Sequence, residues 1–345
     1  MGRLKHSNIQ RQSGAVMIAA LMIFVLVVSL SVGMGAHHQR SLMRAESRFH
    51  GNQAREYLFG AEQMGMFALD QDYKSDQENG AMVDSLDEFW AQPQTFPLDE
   101  GVMEGEIIDA QSRLDVNRLG VLADAEDEAG PTSPKRFTAD QRRFIRLLQL
   151  LNEEQPMDVS AAIEILEAIV DWIDADDQEF GFGGAESLYY QRQDPPVTPA
   201  NRLLTSVTEL RWVKGMTPEL FAALQPYITA LPAGAGLNIN TVDRTLLRTI
   251  NVSTTLAPLP AVDGEALELE RGAVGYGDVA EFLAGSVPSS LASQGDLSSE
   301  GLVVASDFFF LTAKVQVGRQ RRSMLSILQR QNGVAKVIRH NDFVL

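Results

Sequence analysis

Residues 15–36, AVMIAALMIFVLVVSLSVGMGA, contain no charged side chain. As a helix these 22 residues rise roughly 33 Å, the thickness of a bilayer's hydrocarbon core. Nothing else in the chain constrains it as much: the protein is a membrane-tethered one with a polar remainder. Arg3, Lys5 and Arg11 on the N-terminal flank predict a cytoplasmic start, although Arg40, Arg44 and Arg48 beyond the stretch weaken the asymmetry.

Three readings of this N-terminus compete. A secretory signal peptide has a shorter apolar core followed by a small-x-small cleavage site. A plain signal anchor needs nothing more than what is present. In the third, Gly14 marks a polar-to-apolar junction ahead of the greasy stretch, and cleavage there leaves Ala15 as the new N-terminus with the helix intact. That arrangement resembles type IV prepilin-like proteins, whose leader a prepilin peptidase removes on the cytoplasmic side. Such proteins usually carry Glu at the fifth mature position, where it offsets the neighbouring subunit's free amine inside lipid. Here that position is Ala19. A subunit lacking the Glu gains little by joining behind another, but it can be the first one in.

The remainder of the 345 residues suffices for a sizeable core. With 45% hydrophobic and 22% charged residues it reads as globular. A net charge of −17 repels phosphate and argues against a broad nucleic-acid interface. There is no Cys, which excludes disulfides, thiolate metal sites and thiol catalysis. No His lies between residues 51 and 339, so the body has no imidazole base. HExxH, GxSxG, Walker and GxGxxG patterns are absent, and the chain is expected not to be an enzyme. A hydrolase here would have to use paired carboxylates, as glycosidases do.

No Pro precedes Pro93, and Leu42, Phe49, Leu58, Met64, Phe67 and Leu69 fall at helical intervals. The pattern predicts one long helix from about Ala15 to Leu69, its second half packed on the domain outside the membrane. Phe308–Val317 alternates, placing Leu311, Ala313, Val315 and Val317 on one face. Gly318 with 319–322 reads as a turn, Ser323–Arg330 as a strand, Asn332-Gly333 as a hairpin turn and Val334–Arg339 as a third strand. Gly105–Asp115 is an earlier candidate strand.

The middle, about 119–300, reads as mostly helical. Helical patterns cover Arg136–Asn152, Val159–Trp172, Thr208–Val213 and Pro218–Ile228, the last with Thr217 as N-cap, and a further helix opens at Thr241-Val-Asp243 after strand-like 237–240. Segments 121–135 and 252–300, rich in Gly, Pro, Ser and acids, read as loops. Trp90, Trp172 and Trp212 are read as core, as are Tyr189 and Tyr190, and Asn201 and Asn240 as ties between loops and backbone. The helical pair around Gly215 faintly resembles a DNA-binding helix-hairpin-helix, but Glu209 and Glu219 offset Arg211 and Lys214.

One stretch looks like a site. DWIDADDQEFGFGGAE, residues 171–186, holds Asp171, Asp174, Asp176, Asp177, Glu179 and Glu186, with Gly181, Gly183 and Gly184 free to turn the backbone and aim carbonyls inward. Hard oxygens suit Ca²⁺ rather than zinc or copper, though the spacing is not an EF-hand. By pattern the stretch is either a solvated acidic helix end or a cation site. An acidic last turn opposes the helix dipole and calls for compensation.

Taken together, RQSG before a Glu-less apolar helix, DWIDAD at 171–176, GGAESLYY at 183–190, PANRLLTSVTELRWVKGM at 199–216 and LNINTVDRTLL at 237–247 resemble one family: protein K of the type II secretion system, the large minor pseudopilin. The resemblance implies an α+β, pilin-like fold, a long N-terminal helix with a small antiparallel sheet, carrying a large mostly α-helical insertion. The parts are then a leader 1–14 with the cut between Gly14 and Ala15, a transmembrane helix 15–36, pilin-like segments 37–118 and 301–345, and the insertion 119–300. It implies a tip or initiation complex with minor pseudopilins I and J on a periplasmic pseudopilus of the major pseudopilin. Prepilin peptidase and the inner membrane are further partners, and nucleic acid is not. It also favours structural Ca²⁺, held first by Asp174, Asp176 and Glu186 and next by Asp171 and Asp177. The competing expectations are a membrane-anchored, calcium-dependent periplasmic hydrolase and a minor pilin of a type IV pilus or DNA-uptake machine.

Overall fold

A computed structural model describes residues 13–123, 130–232 and 234–344. Most of the leader, residues 1–12, lies outside the described residues, whereas Gly14 and Ala15 stand in the first turn of helix α1 (Ser13–Asn79). That helix runs 67 residues, ten further than the apolar spacing predicts, because nothing breaks it before Gly80, whose φ of 76° ends it. Its apolar residues 15–35 are exposed, as a lipid-facing segment must be when no lipid surrounds it.

The face that α1 buries differs from expectation. Leu58 and Leu69 are fully buried, but Leu42, Phe49, Met64 and Phe67 are exposed. The seam is Gly51, Ala54, Leu58, Ala61, Gly65 and Leu69. Small residues let the helix lie close to the sheet: a Cβ on Gly65 would sit 3.0 Å from Leu311 Cδ2. Size selects this seam, not hydrophobicity, which is why the larger apolar residues fall outside it.

The sheet opens with β1 (Gln94–Leu98), which the sequence reading did not foresee, and β2 (Gly101–Asp109), offset from the expected Gly105–Asp115. After β2 the chain enters a helical body. It begins with a two-residue strand, β3 (Leu114–Asp115), then α2 (Ala139–Leu150) and α3 (Val159–Ile173). A capping box starts α2: Thr138 Oγ1 accepts from the Gln141 N–H while Gln141 Oε1 accepts from the Thr138 N–H. One turn of helix, α4 (Ser187–Tyr190), precedes a 3₁₀ turn over Val207–Trp212 and α5 (Pro218–Leu224). Short strands β4 (Ile228–Thr229) and β5 (Leu237–Asn238) lead to α6 (Arg244–Leu247), capped by Asp243.

Thr217 caps α5 through a 3.2 Å bond from the Leu220 N–H, with Pro218 in the first turn. Thr217→Ala is expected to cost about 1 kcal/mol in urea unfolding without changing the fold.

Residues 252–300 are not all loop: helices cover 261–271, 279–284 and 286–292, and the stretches between them are turn and loop. These helices are α7 (Ala261–Arg271), α8 (Val279–Ala284) and α9 (Ser286–Ala292), and Leu267, Phe282 and Leu291 are buried. The Pro and Gly residues that suggested loop act as boundaries instead: Pro260 caps α7, Gly272 ends it at φ 59°, and Gly285 separates α8 from α9. In 121–135, residues 124–129 lie outside the described residues and Pro134–Arg136 make a 3₁₀ turn. One continuous core runs through this body, from Leu114 and Phe144 to Phe282 and Leu302.

The chain returns through β6 (Leu302–Val303) to β7 (Phe308–Val317), β8 (Gln320–Gln331) and β9 (Val334–Val344). The sheet order is β1-β2-β7-β8-β9, antiparallel throughout. β7 has the expected limits and its expected inward face is buried. The turn before β8 is shorter than 319–322; it takes only Gly318 and Arg319, so β8 starts three residues early. Asn332 and Gly333 have φ of 51° and 74°, the two positive values of a type I′ hairpin. Because β2 and β7 are neighbours, the body leaves and re-enters the sheet at one place. A buried network closes that neck: Asn238 Nδ2 donates to Asp84 O, Asp109 Oδ2 and Ser306 Oγ. Trp90 and Trp172 are 3% exposed, whereas Trp212, read as core, is 55% exposed because the 3₁₀ turn that carries it faces outward.

Candidate metal centre

Helix α3 carries Glu167 and Asp171 one turn apart, and Asp174 at its C-cap three residues on. Spacings of four and three put all three carboxylates on one face. Glu167 and Asp171 are buried and Asp174 half-buried. The chain after Asp174 doubles back along this face, and the two buried carboxylates hold it there. Asp171 Oδ1 accepts from the Phe180 N–H at 2.8 Å and Oδ2 from the Ala185 N–H at 2.6 Å. Glu167 Oε2 accepts from the Phe182 and Gly183 N–H groups at 3.0 and 2.6 Å, and Oε1 pairs with Arg136 at 2.9 Å.

Glycine is required where the loop meets the helix. A Cβ on Gly183 would lie 2.4 Å from the Glu164 Cα, and Gly181 has a φ of 70° with the Glu167 carboxylate against it. The carbonyls of Gly183 and Gly184, expected to face a cation, are engaged by a lysine instead. They accept from Lys214 Nζ at 3.0 and 3.1 Å, which locks the loop from the other side. Tyr190 is buried edge-on against Trp172, while Tyr189 is only half-buried.

This fold-back delivers Glu186 to α3. One carboxylate oxygen each from Asp171, Asp174 and Glu186 lies within 4.8 Å of the others. Asp176 and Asp177 stay outside that group and are exposed; Asp176 Oδ1 accepts from the Gln178 N–H and Asp177 Oδ1 from the Ser187 N–H. Asp174 Oδ1 and both Glu186 carboxylate oxygens are buried without any donor among the described residues. So is Asn201 Oδ1, on a residue whose Nδ2 holds the Asp176 carbonyl at 3.0 Å. Asn240 likewise ties a loop, exchanging hydrogen bonds with the Tyr276 backbone.

Buried carboxylates crowded together resist ionisation. Burial pushes Glu186 up to about 8, with Asp171 and Asp174 adding to it. Burial also raises Asp171 and Asp174 to about 6. Converging oxygens that lack donors and are hard to charge fit a divalent cation of the calcium class, and an all-oxygen set does not fit zinc or copper. Of Glu167 and Lys214, which hold the loop, the sequence reading does not single out Glu167 and names Lys214 only as a basic neighbour of Gly215. Glu167 could have been singled out: an acid on the buried face of an otherwise apolar helix, four residues before another, needs a partner.

Residues 112–233 match the family model for type II secretion system protein K. The chain is 33% identical to type II secretion system protein K of Aeromonas hydrophila over 240 residues, 68% of each chain. It is 30% identical to the Klebsiella pneumoniae protein of the same name over 95% of each chain. Among solved structures it resembles the GspK–GspI–GspJ complex of the enterotoxigenic Escherichia coli type 2 secretion system, with a TM-score of 0.69 and 26% identity over 87% of this chain and 99% of that one. A similarity that runs from the apolar helix through the acidic loop to the last strands has one reading: this chain belongs to the type II secretion system protein K family.

Proposed function

We propose that the chain is a structural, non-enzymatic minor pseudopilin. It joins the small pseudopilins I and J in the complex that starts and caps the pseudopilus, with its head in the periplasm and its first helix in the inner membrane. Its relative is seen in a complex of that composition. The observation that carries the reading is the continuity of α1: one unbroken helix joins an exposed apolar span to the seam that packs on the sheet. A filament subunit needs that geometry, because the lipid-embedded half becomes the fibre's core when the head is lifted outward. The helical body beside the sheet makes the head too bulky to stack beneath another subunit, and Ala19 withholds the charge that would recruit it behind one.

In this reading residues 1–14 are a leader cut between Gly14 and Ala15, and Asp171, Asp174 and Glu186 hold a structural Ca²⁺ that pins the loop to α3. The bound ion supplies positive charge; the chain's own residues preform the loop that receives it.

Mass spectrometry of the chain extracted from membranes is expected to find Ala15 at the N-terminus, and affinity capture to bring down pseudopilins I and J. Recovery of intact Met1 from cells with active prepilin peptidase would overturn the reading.

A further inference from the structure

A second group of acids lies at the far end of α1, on the sheet side of the molecule. Asp72 comes from α1, and Asp84 and Glu88 from the segment that links α1 to β1. One carboxylate oxygen of each lies within 4.8 Å of the others. Asp84 is completely buried. Its Oδ2 accepts from the Ser306 N–H at 2.6 Å and from Arg330 Nη2 at 2.5 Å, but its Oδ1 is buried without a donor among the described residues.

Arg330 is the cation paired with these acids. Its Nη1 meets Asp72 at 3.0 Å, and Nη2 is shared by Asp84 and the Ser306 carbonyl. Among the described residues Glu88 receives only neutral donors, the Trp90 indole N–H and, at 3.5 Å, the Ser85 hydroxyl. Three carboxylates against one guanidinium leave a charge of −2, which one divalent cation cancels. Asp76, held by the Val83 N–H, adds to the negative field. Uncompensated charge of this density is costly away from water.

The group is reachable. Asp72 and Glu88 line one end of a groove of about 1070 Å³ whose other walls include Met64, Phe67, Phe89 and Phe96. Water entering there can complete the shell of an oxygen-loving ion, which takes more ligands than three carboxylates provide.

We propose that Asp72, Asp84 and Glu88 form a second divalent-cation site, of the calcium class, separate from the one on α3. The ion fastens residues 80–93 to the end of α1 and so fixes one wall of the groove. Burial, and then the neighbouring acids, push Glu88 up to about 8 and Asp72 to about 6, the behaviour of carboxylates that an ion would hold charged.

Trp90 supplies a reporter, because its indole is bonded to Glu88. The full chain in detergent, stripped with chelator and carrying Glu186→Gln to disable the α3 site, is titrated with Tb³⁺. Tryptophan-sensitised emission that calcium displaces is expected. Adding Glu88→Gln should weaken the apparent affinity by about tenfold or more. Trp90→Phe, which keeps all three carboxylates, should remove the emission while equilibrium dialysis still counts the same bound calcium. Emission that is absent from the Glu186→Gln chain, is unchanged by Glu88→Gln, or is lost in Trp172→Phe but kept in Trp90→Phe would overturn the proposal.

Discussion

Chelating calcium is expected to lower the melting temperature of the full chain, and Asp174→Ala with Glu186→Ala is expected to abolish the α3 site's share of that response, leaving only what the Asp72–Asp84–Glu88 group contributes. An ion at a hundred times its Kd adds about 2.7 kcal/mol to the folded state. At about 2–4 °C per kcal/mol for a body of this size, the shift is roughly 5–10 °C. The effect must also depend on pH, and the direction follows from the carboxyls. In the ion-free fold Asp171 and Asp174 titrate near about 6 and Glu186 near about 8, above their ordinary 3.8 and 4.5. Between those limits the folded state holds more protons than the unfolded chain, so its stability is full in acid and falls as pH rises through about 6 and then about 8. Calcium replaces those protons. Its stabilising effect should therefore be small near pH 5 and largest at about pH 8 or above. Melting curves with and without chelator at the two pH values test this. Identical curves at the higher pH would remove the cation from the account.

Glu167→Ala is expected to destabilise the helical body by about 3–5 kcal/mol, more than loss of any exposed acid in the loop. Its carboxylate is buried, accepts from two backbone N–H groups of the loop, the Gly183 bond buried and the Phe182 bond partly so, and pairs with a mostly buried Arg136. Truncation leaves two donors and a guanidinium with nothing to satisfy them in a place water reaches poorly. Glu167→Gln keeps an acceptor for the loop and loses the ion pair, so its cost should be clearly smaller. Urea unfolding gives both values. The Ala variant should also answer calcium weakly, since the loop that presents Glu186 is no longer held. A change below about 1 kcal/mol for Glu167→Ala would mean that Asp171 and Lys214 hold the loop without it.

The acidic stretch shows how far a sequence places its acids and where that placement stops. The stretch 171–186 stood out by composition, and three of its acids do converge. The family resemblance ranks Asp176 first and Asp171 behind it, yet the structure groups Asp171 with Asp174 and Glu186. Spacing along α3 favours Asp171, but which loop residue comes back to the helix depends on where the chain reverses. That point is set by Glu167 and Lys214, which lie before and after the stretch. The seam of α1 teaches the same lesson. Apolar period alone selected Phe49, Met64 and Phe67, whereas close approach to the sheet selected Gly51, Ala54 and Gly65.

What the sequence by itself determined is local. The uncharged span, the alternation of β7, the Asn332-Gly333 turn and the Thr217 cap each follow from a few neighbouring residues whose backbone preferences agree. What only the tertiary structure decided is which distant groups meet: Glu186 with Asp171, Arg330 with Asp72 and Asp84, and the small residues of α1 with Leu311. Those meetings depend on how closely whole elements pack and on which buried charges find partners, and neither quantity is written in any short window of the chain.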